Sequence, residues 1–169
     1  MRILGIDPGF ERLGVAILEK NKREKKERVI FSECFKTSAK LDFSKRLHLI
    51  GVEVRKVIDK YKPEVLAIET LFLNTNQKTV MRVAEARGVA IYEAMQAGLK
   101  IFEATPLQIK IATTGYGRAD KTQVMKMVKI LVDPVRGRED SQRPSASNGT
   151  DDELDAIAIA LTTFAYMRG

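Results

Sequence analysis

The chain has 169 residues, of which 44% are hydrophobic and 30% charged, and its net charge is +7. A chain of this length is typical of one domain and buries about 70% of the surface that its unfolded form exposes, so it needs no disulfide to fold. The lone Cys34 excludes an internal disulfide and fits a reducing cytoplasm, and no apolar run approaches the ~20 residues of a membrane span. The excess of Lys and Arg is typical of a protein that binds a polyanion, although solubility alone would also explain it.

The first half of the chain is predicted to be mainly strand. Alternating and apolar runs predict three strands at 2–6, 13–19 and 28–36, which we expect to pair as an antiparallel meander. Apolar residues at helical spacing then predict a helix over 43–60. The short apolar run 64–69 follows a proline and predicts a buried strand.

The second half alternates helix and strand. A helix rich in Ala and Gly is predicted over 78–97, followed by a strand at 100–104 and a short helix at 106–112. After a Gly-rich loop, Asp120 is predicted to cap a further helix, with Gln123 as its capping-box partner.

The stretch 133–150 is polar and rich in Pro, Gly and Ser, which predicts a long flexible loop. The final predicted helix covers 152–166 and is apolar on nearly all sides, so we expect it to be well buried. Elements in this order are typical of an α/β fold: a five-stranded mixed sheet with helices on both faces, in a single domain over 1–169. Because that architecture hosts many functions, function has to be inferred from site residues.

Four acidic residues lie where predicted elements end or begin. Asp7 ends the first strand, and Glu69 ends the strand "VLAIE". Asp152 and Asp155 open the last helix, where a spacing of three places them about 60° apart around its axis. Each has an ordinary explanation alone, as a turn residue, a solvated side chain or a helix cap. Because ends of neighbouring strands and a helix start can meet at one point, we expect the four to converge.

Converging carboxylates repel one another unless a cation neutralises them. Oxygen ligands suit a hard ion such as Mg²⁺ or Mn²⁺, and the lone Cys34 and His48 provide no zinc ligand set. Four carboxylates can hold two such ions about 4 Å apart, one activating water and the other stabilising the leaving oxygen in an in-line attack on phosphorus. In a basic protein this pattern predicts hydrolysis of a phosphodiester backbone.

Several motifs together resemble a known family. The stretches "ILGIDPG" with "GVAI", "AIETLF", "EARGVA", "TGYGRADKTQV" and "DELDAIAIA" are similar, in this order, to the bacterial RuvC crossover-junction endonucleases. The similarity covers 1–132 and 151–167. It implies a ribonuclease-H-like fold, a homodimer, and paired nicking of four-way (Holliday) junctions with two Mg²⁺ ions per site, for which Mn²⁺ substitutes. It also implies action with a branch-migration helicase of the RuvA/RuvB type in recombination and repair.

The resemblance places the catalytic, metal-binding carboxylates on residues already singled out, Asp7, Glu69, Asp152 and Asp155. Asp152 is assigned by aligning "DAIAIA", and some relatives carry His at that position. Asp151 is an alternative, because it lies four residues before Asp155 and can share its helix face.

The resemblance also implies DNA contacts at Phe72, Lys110 and Lys121. Asn76, Lys78 and Arg82 are further candidates for backbone contacts, because they lie on the loop and helix that follow Glu69. Phe72 matches an aromatic residue that stacks near the junction centre, although a core residue would look the same. A lysine on a solvated helix surface would give the same sequence pattern as Lys110. Lys121 opens a helix beside a Gly-rich loop, where N–H groups and the helix dipole favour phosphate. The helix around "EARGVAIYEA" is the predicted dimer seam, because small residues allow close packing, although an internal helix has the same composition.

Two departures from the family pattern leave alternatives open. The loop 133–150 is longer than the usual connection, and its three arginines either contact DNA or belong to a simple insertion. The stretch "DPGFERLGVA" carries an arginine where many relatives differ, which adds weight to the related RuvX-like nucleases that act on RNA. A non-catalytic junction-binding protein is a further alternative, which four acids in a DNA groove disfavour. A sugar-kinase-like ATPase needs two such domains, and 169 residues are too few.

Overall fold

The computed structural model describes residues 1–21, 26–71, 77–132 and 150–167, and for 77 and 78 it describes the backbone alone. Within these ranges the chain forms five strands, β1 Arg2–Asp7, β2 Arg12–Glu19, β3 Arg28–Lys36, β4 Val65–Glu69 and β5 Lys100–Ala104. It also forms five helices, α1 Phe43–Tyr61, α2 Gln77–Gln96, α3 Pro106–Thr114, α4 Lys121–Leu131 and α5 Asp151–Tyr166. The predicted boundaries are correct to within one or two residues. None of the helices in the described ranges is long and apolar enough to cross a membrane.

The strands form one mixed sheet in the order β3-β2-β1-β4-β5. The first three strands pair antiparallel, as predicted, while β1, β4 and β5 run parallel. Ile6 pairs with Ile68 in the parallel register, so the next residues along, Asp7 and Glu69, lie side by side. The carboxyl ends of parallel strands share one edge of the sheet, and this edge therefore carries both acids.

Helices cover both faces of the sheet, which explains why its central strands are apolar on both sides. On one face, α1 and α2 pack through Ile50 and Ala90 against Leu4 and its neighbours. On the other face, α3, α4 and α5 pack against the alternate residues, such as Ile3, and α5 is buried over most of its length. The predicted five-stranded mixed sheet with helices on both faces is confirmed.

Two glycines let α5 lie directly against the sheet. A Cβ atom at Gly5 would stand 2.2 Å from the carbonyl oxygen of Ala156, and one at Gly14 would stand 2.1 Å from the carbonyl oxygen of Asp152. Real Cβ contacts are never so short, so any larger residue at either position would push the helix away. The glycines thus bring the first turn of α5 to the sheet edge that carries Asp7.

The start of α5 is held by a capping box. The Thr150 hydroxyl accepts a hydrogen bond from the Glu153 N–H, and the Glu153 carboxylate accepts one from the Thr150 N–H. The helix begins at Asp151, one residue earlier than predicted, because Thr150 is the capping residue. The predicted box of Asp120 and Gln123 at the start of α4 is also present. Most of the predicted flexible loop, 133–149, lies outside the described residues.

Candidate active site

The four predicted carboxylates come together at the carboxyl end of β1. Asp7 and Glu69 end neighbouring parallel strands, and Asp152 and Asp155 lie in the first turns of α5. Gly14 pairs with Asp7 in the β1–β2 ladder and also touches the backbone of Asp152, so it links strand and helix at this point. Acids from three distant segments of the sequence are therefore neighbours in the fold.

The pKa of Asp7 is raised from 3.8 to about 7, first by burial and then by the charges of Asp155, Glu69 and Asp152. Burial also raises the pKa values of Glu69 and Asp155, with a contribution from neighbouring carboxylates in each case. Lys121 opposes these shifts, because its ammonium group favours the charged form of all three acids. The site therefore holds more negative charge than its surroundings neutralise, which favours binding of a cation.

Two basic side chains pair with the carboxylates from opposite sides. The Lys121 Nζ atom lies 3.1 Å from Asp155 Oδ2 and 3.6 Å from Asp151 Oδ2. On the other side, the Arg12 guanidinium pairs with Asp152. The charge of Asp152 raises the pKa of Asp7, whereas the side chain of Asp151 is 68% exposed and faces Lys121. This geometry favours Asp152 over Asp151 as the inner residue of the cluster.

No group of three or more His, Cys, Asp or Glu side chains is arranged to hold a metal ion in the described part of the chain. Instead, Asp155 pairs with Lys121 and Asp152 pairs with Arg12. The donor set nevertheless fits a hard divalent ion, since it offers carboxylate oxygens alone and leaves crowded negative charge at Asp7. A metal would have to compete with these two cations for the carboxylates.

A positioning residue missed by the sequence analysis is Arg87 on α2. Its Nε donates to the backbone carbonyl of Glu69 at 3.0 Å, and its guanidinium also pairs with Glu103 on β5. Arg87 therefore fixes the end of β4, where Glu69 leaves the sheet. The motif "EARGVA" contains this residue, but its composition predicts only close helix packing and not a contact with a strand end.

Buried Glu153 fixes the opposite part of the site. Its carboxylate accepts a 2.8 Å hydrogen bond from the hydroxyl of Ser32 on β3, in addition to capping α5. The bond holds the first turn of α5, and with it Asp152, against the sheet. The sequence analysis assigned site roles to Asp152 and Asp155 of this acidic cluster but none to Glu153. The spacing of Thr150 and Glu153 before an apolar run indicates the cap, while the bond to β3 leaves no sequence signal.

A cavity of about 280 Å³ opens beside Glu69 and Asp155. Both predicted basic residues of this region, Lys110 and Lys121, line it, and its remaining lining residues are apolar. The structure thus brings Lys110 to the acidic cluster. A phosphate entering here would meet two ammonium groups next to two carboxylates.

Of the other predicted DNA contacts, the structure describes the side chain of Arg82, which lies apart from the cluster. Arg82 is exposed, and its guanidinium lies over the rings of Phe10 and Phe43, 5.7 Å and 5.1 Å from their centroids. Phe72, Asn76 and the side chain of Lys78 lie outside the described residues, and their roles stay predictions.

The fold and site define a class. A five-stranded mixed sheet with helices on both faces and carboxylates at the carboxyl end of its first strand is the arrangement of metal-dependent nucleases with a ribonuclease-H-like fold. The family profile described as "Crossover junction endodeoxyribonuclease RuvC" matches residues 3–163. The chain therefore belongs to the RuvC family.

Curated relatives agree with this assignment. The crossover junction endodeoxyribonuclease RuvC of Caldicellulosiruptor saccharolyticus is 44% identical over 161 residues, covering 95% of this chain and 90% of the relative. The RuvC of Halothermothrix orenii is 43% identical over 161 residues, with the same coverage of both chains.

Solved structures confirm the ribonuclease-H-like fold. The structure of Thermus thermophilus RuvC superposes with a TM-score of 0.83 at 31% identity, covering 99% of this chain and 96% of that one. The same protein in complex with a Holliday junction substrate superposes with a TM-score of 0.84, also at 31% identity, and covers 99% and 95% of the two chains.

Proposed function

We propose that this chain is a Holliday-junction-resolving endonuclease that hydrolyses DNA phosphodiester bonds in recombination and repair. The observation that carries the proposal is the convergence of four carboxylates, at the edge of the sheet of a basic RuvC-family chain. Family membership and a junction-bound relative support DNA over the RNA substrates of RuvX-like nucleases. A purely junction-binding protein would gain nothing from acids that repel the phosphate backbone.

The metal ions of this proposal are two Mg²⁺, for which Mn²⁺ substitutes. The residues that would hold them are Asp7, Glu69, Asp152 and Asp155, and the ions would supply an activated water and stabilise the leaving oxygen. Carboxylate oxygens are the ligands that these ions prefer. Burial, and after it the charges of Asp155, Glu69 and Asp152, raises the pKa of Asp7, and a bound cation would offset both effects.

The remaining chemistry belongs to the chain itself. Lys110 and Lys121 line the cavity beside Glu69, where their ammonium groups attract and orient a backbone phosphate. Arg87 holds the carbonyl of Glu69 and keeps that carboxylate at the edge of the site. Gly14 keeps α5 close enough for its acids to share the site with Asp7. In this proposal, these residues position the reacting groups.

The active unit in this proposal is a homodimer that places two sites on a roughly two-fold symmetric junction. Support comes from an exposed stripe on α2, formed by Met81, Gly88, Tyr92 and Met95; the three large side chains are each about 60% exposed. The small residues of α2 that suggested the seam, such as Ala90, pack inward on the sheet. The exposed stripe, rather than those alanines, is therefore our candidate for the seam. We also propose cooperation with a RuvA/RuvB-type helicase, and cytoplasmic action of a single domain over 1–169.

The test is cleavage of a labelled synthetic four-way junction with and without Mg²⁺. We expect symmetric nicks in Mg²⁺ and none in EDTA, and no cleavage of a structured RNA of similar size. Asp7→Asn should abolish nicking yet retain or strengthen junction binding, because it removes a metal ligand and a negative charge. Near-wild-type nicking by this variant would overturn the assignment of the site, and cleavage of the RNA alone would favour the RuvX-like alternative.

A further inference from the structure

The Arg12 guanidinium pairs with Asp152 at the edge of the carboxylate cluster. Arg12 is the first residue of β2, and its side chain is 49% exposed, whereas that of Asp152 is 22% exposed. The Cys34 thiol donates to the Oδ2 atom of Asp152 at 3.4 Å, so the acid is held from two sides. Nothing in the function proposed so far uses this arginine.

We propose that Arg12 is a DNA-binding residue that holds Asp152 in the metal-free protein and moves to a backbone phosphate when a divalent cation takes Asp152. The inference rests on the proposed function, because it assumes that Asp152 becomes a metal ligand. It concerns a contact that lies on the opposite side of the site from Lys110 and Lys121.

Competition for one carboxylate is the physical basis of the exchange. A carboxylate that binds a divalent ion has little charge left for a guanidinium, and two cations at the same oxygens repel each other. The Arg12 side chain is long and half exposed, so it can swing away without opening the core. The released guanidinium is a planar group that binds phosphate with two parallel hydrogen bonds.

The surroundings of Arg12 suit an anionic ligand. Its neighbour in the β2–β3 ladder is Lys36, which is also exposed, so two cations stand side by side at this edge of the sheet. Lys121 lies on α4, beyond the carboxylates. A DNA strand that crosses the acidic cluster would thus meet basic groups on both sides, and Arg12 and Lys36 mark the side that the family resemblance did not assign.

The exchange predicts opposite effects of one substitution on two ligands. In the DNA-free protein, Arg12→Ala should tighten Mg²⁺ binding about two- to five-fold, because it removes a competing cation whose exposed ion pair is weak. In the presence of Ca²⁺, it should weaken junction binding about ten-fold, because a charge-assisted phosphate contact is lost. Without metal, where the guanidinium stays on Asp152, junction affinity should change less than about two-fold.

The measurements are isothermal titration with Mg²⁺, and fluorescence anisotropy of a labelled four-way junction in Ca²⁺ or in EDTA, with recovery of uncut DNA as a check. The matched control is Arg28→Ala, which removes the same charge from a half-exposed arginine that pairs with Glu19 at the far end of β2. Arg12→Lys keeps a charge but loses the planar group, so its junction affinity in Ca²⁺ should fall between wild type and Arg12→Ala.

The outcomes separate this inference from the proposed function. If wild type binds Mg²⁺ and the junction, but Arg12→Ala matches Arg28→Ala in both assays, the exchange is wrong and the proposed function stands. If Arg12→Ala tightens Mg²⁺ binding without weakening junction binding in Ca²⁺, the inference that Arg12 contacts a backbone phosphate is wrong. If wild type shows no Mg²⁺ binding at all, both the metal site and the exchange fail.

Discussion

Asp7 should lower the stability of the metal-free protein at neutral and alkaline pH. Its pKa rises from 3.8 to about 7 on folding, mainly through burial. One pKa unit corresponds to about 1.4 kcal/mol, so the ionised side chain costs the fold about 4 kcal/mol at most. Local relaxation and solvent screening reduce this cost, and we expect Asp7→Asn to gain about 2 kcal/mol. For a chain of 169 residues, this gain corresponds to a Tm about 4–8 °C higher.

The gain should depend on pH in a defined window. Because the folded-state pKa lies above the unfolded value, the folded protein binds one more proton than the unfolded protein between about pH 4 and pH 7. The stability linked to Asp7 is therefore lost as the pH rises through that range. The advantage of Asp7→Asn should therefore be complete at about pH 8 and fall to less than half at about pH 4.5. Mg²⁺ should raise the Tm of wild type more than that of the variant, since it binds the native carboxylates.

Thermal unfolding in EDTA at the two pH values, followed by circular dichroism, measures this difference. The control is Asp42→Asn, which removes an exposed charge at the start of α1 and should give a similar Tm difference at both pH values. An Asp7→Asn variant no more stable than wild type at pH 8, or with the same advantage at pH 4.5, would refute the view that Asp7 is held in a crowded, desolvated carboxylate site.

Three further predictions concern packing, positioning and assembly. Gly14→Ala should lower the free energy of unfolding of the monomer by about 3 kcal/mol in urea denaturation, because the added methyl group meets the α5 backbone. In the single chain, the methyl group of Gly88→Ala meets open space, and this variant should gain up to about 1 kcal/mol. Similar losses in both variants would contradict the close contact at Gly14. Arg87→Ala should reduce kcat for junction cleavage about ten-fold or more, because Glu69 is misplaced, while junction affinity stays nearly unchanged. Equal losses in kcat and in junction affinity would argue against a role of Arg87 in positioning Glu69. Tyr92→Arg should weaken self-association in sedimentation experiments without lowering the Tm of the monomer. Unchanged dimerisation would contradict the assignment of the α2 stripe as the dimer seam.

Much of the fold was predictable because its signals are local. The alternation of strands and the spacing of apolar residues in α1 depend on backbone periodicities that short stretches express by themselves. The capping box at Asp120 was equally local, since its two partners are three residues apart. The four carboxylates were predictable for a related reason. Strand ends and helix starts are recognisable along the chain, and a mixed sheet allows only a few arrangements of those ends in space.

The contacts that shape the site depend on partners far apart in the chain, and only the tertiary structure decided them. The sequence gives no sign that Gly14 is required, because the α5 backbone that lies against it is far away along the chain. The position of Asp152 rather than Asp151 as the inner acid, and the pairing of Arg12 with Asp152, depend on how the first turn of that helix packs against the sheet. Residue types and spacings report which side chains are available, whereas packing of distant elements determines which of them touch, because close contact depends on the shapes of both surfaces at once.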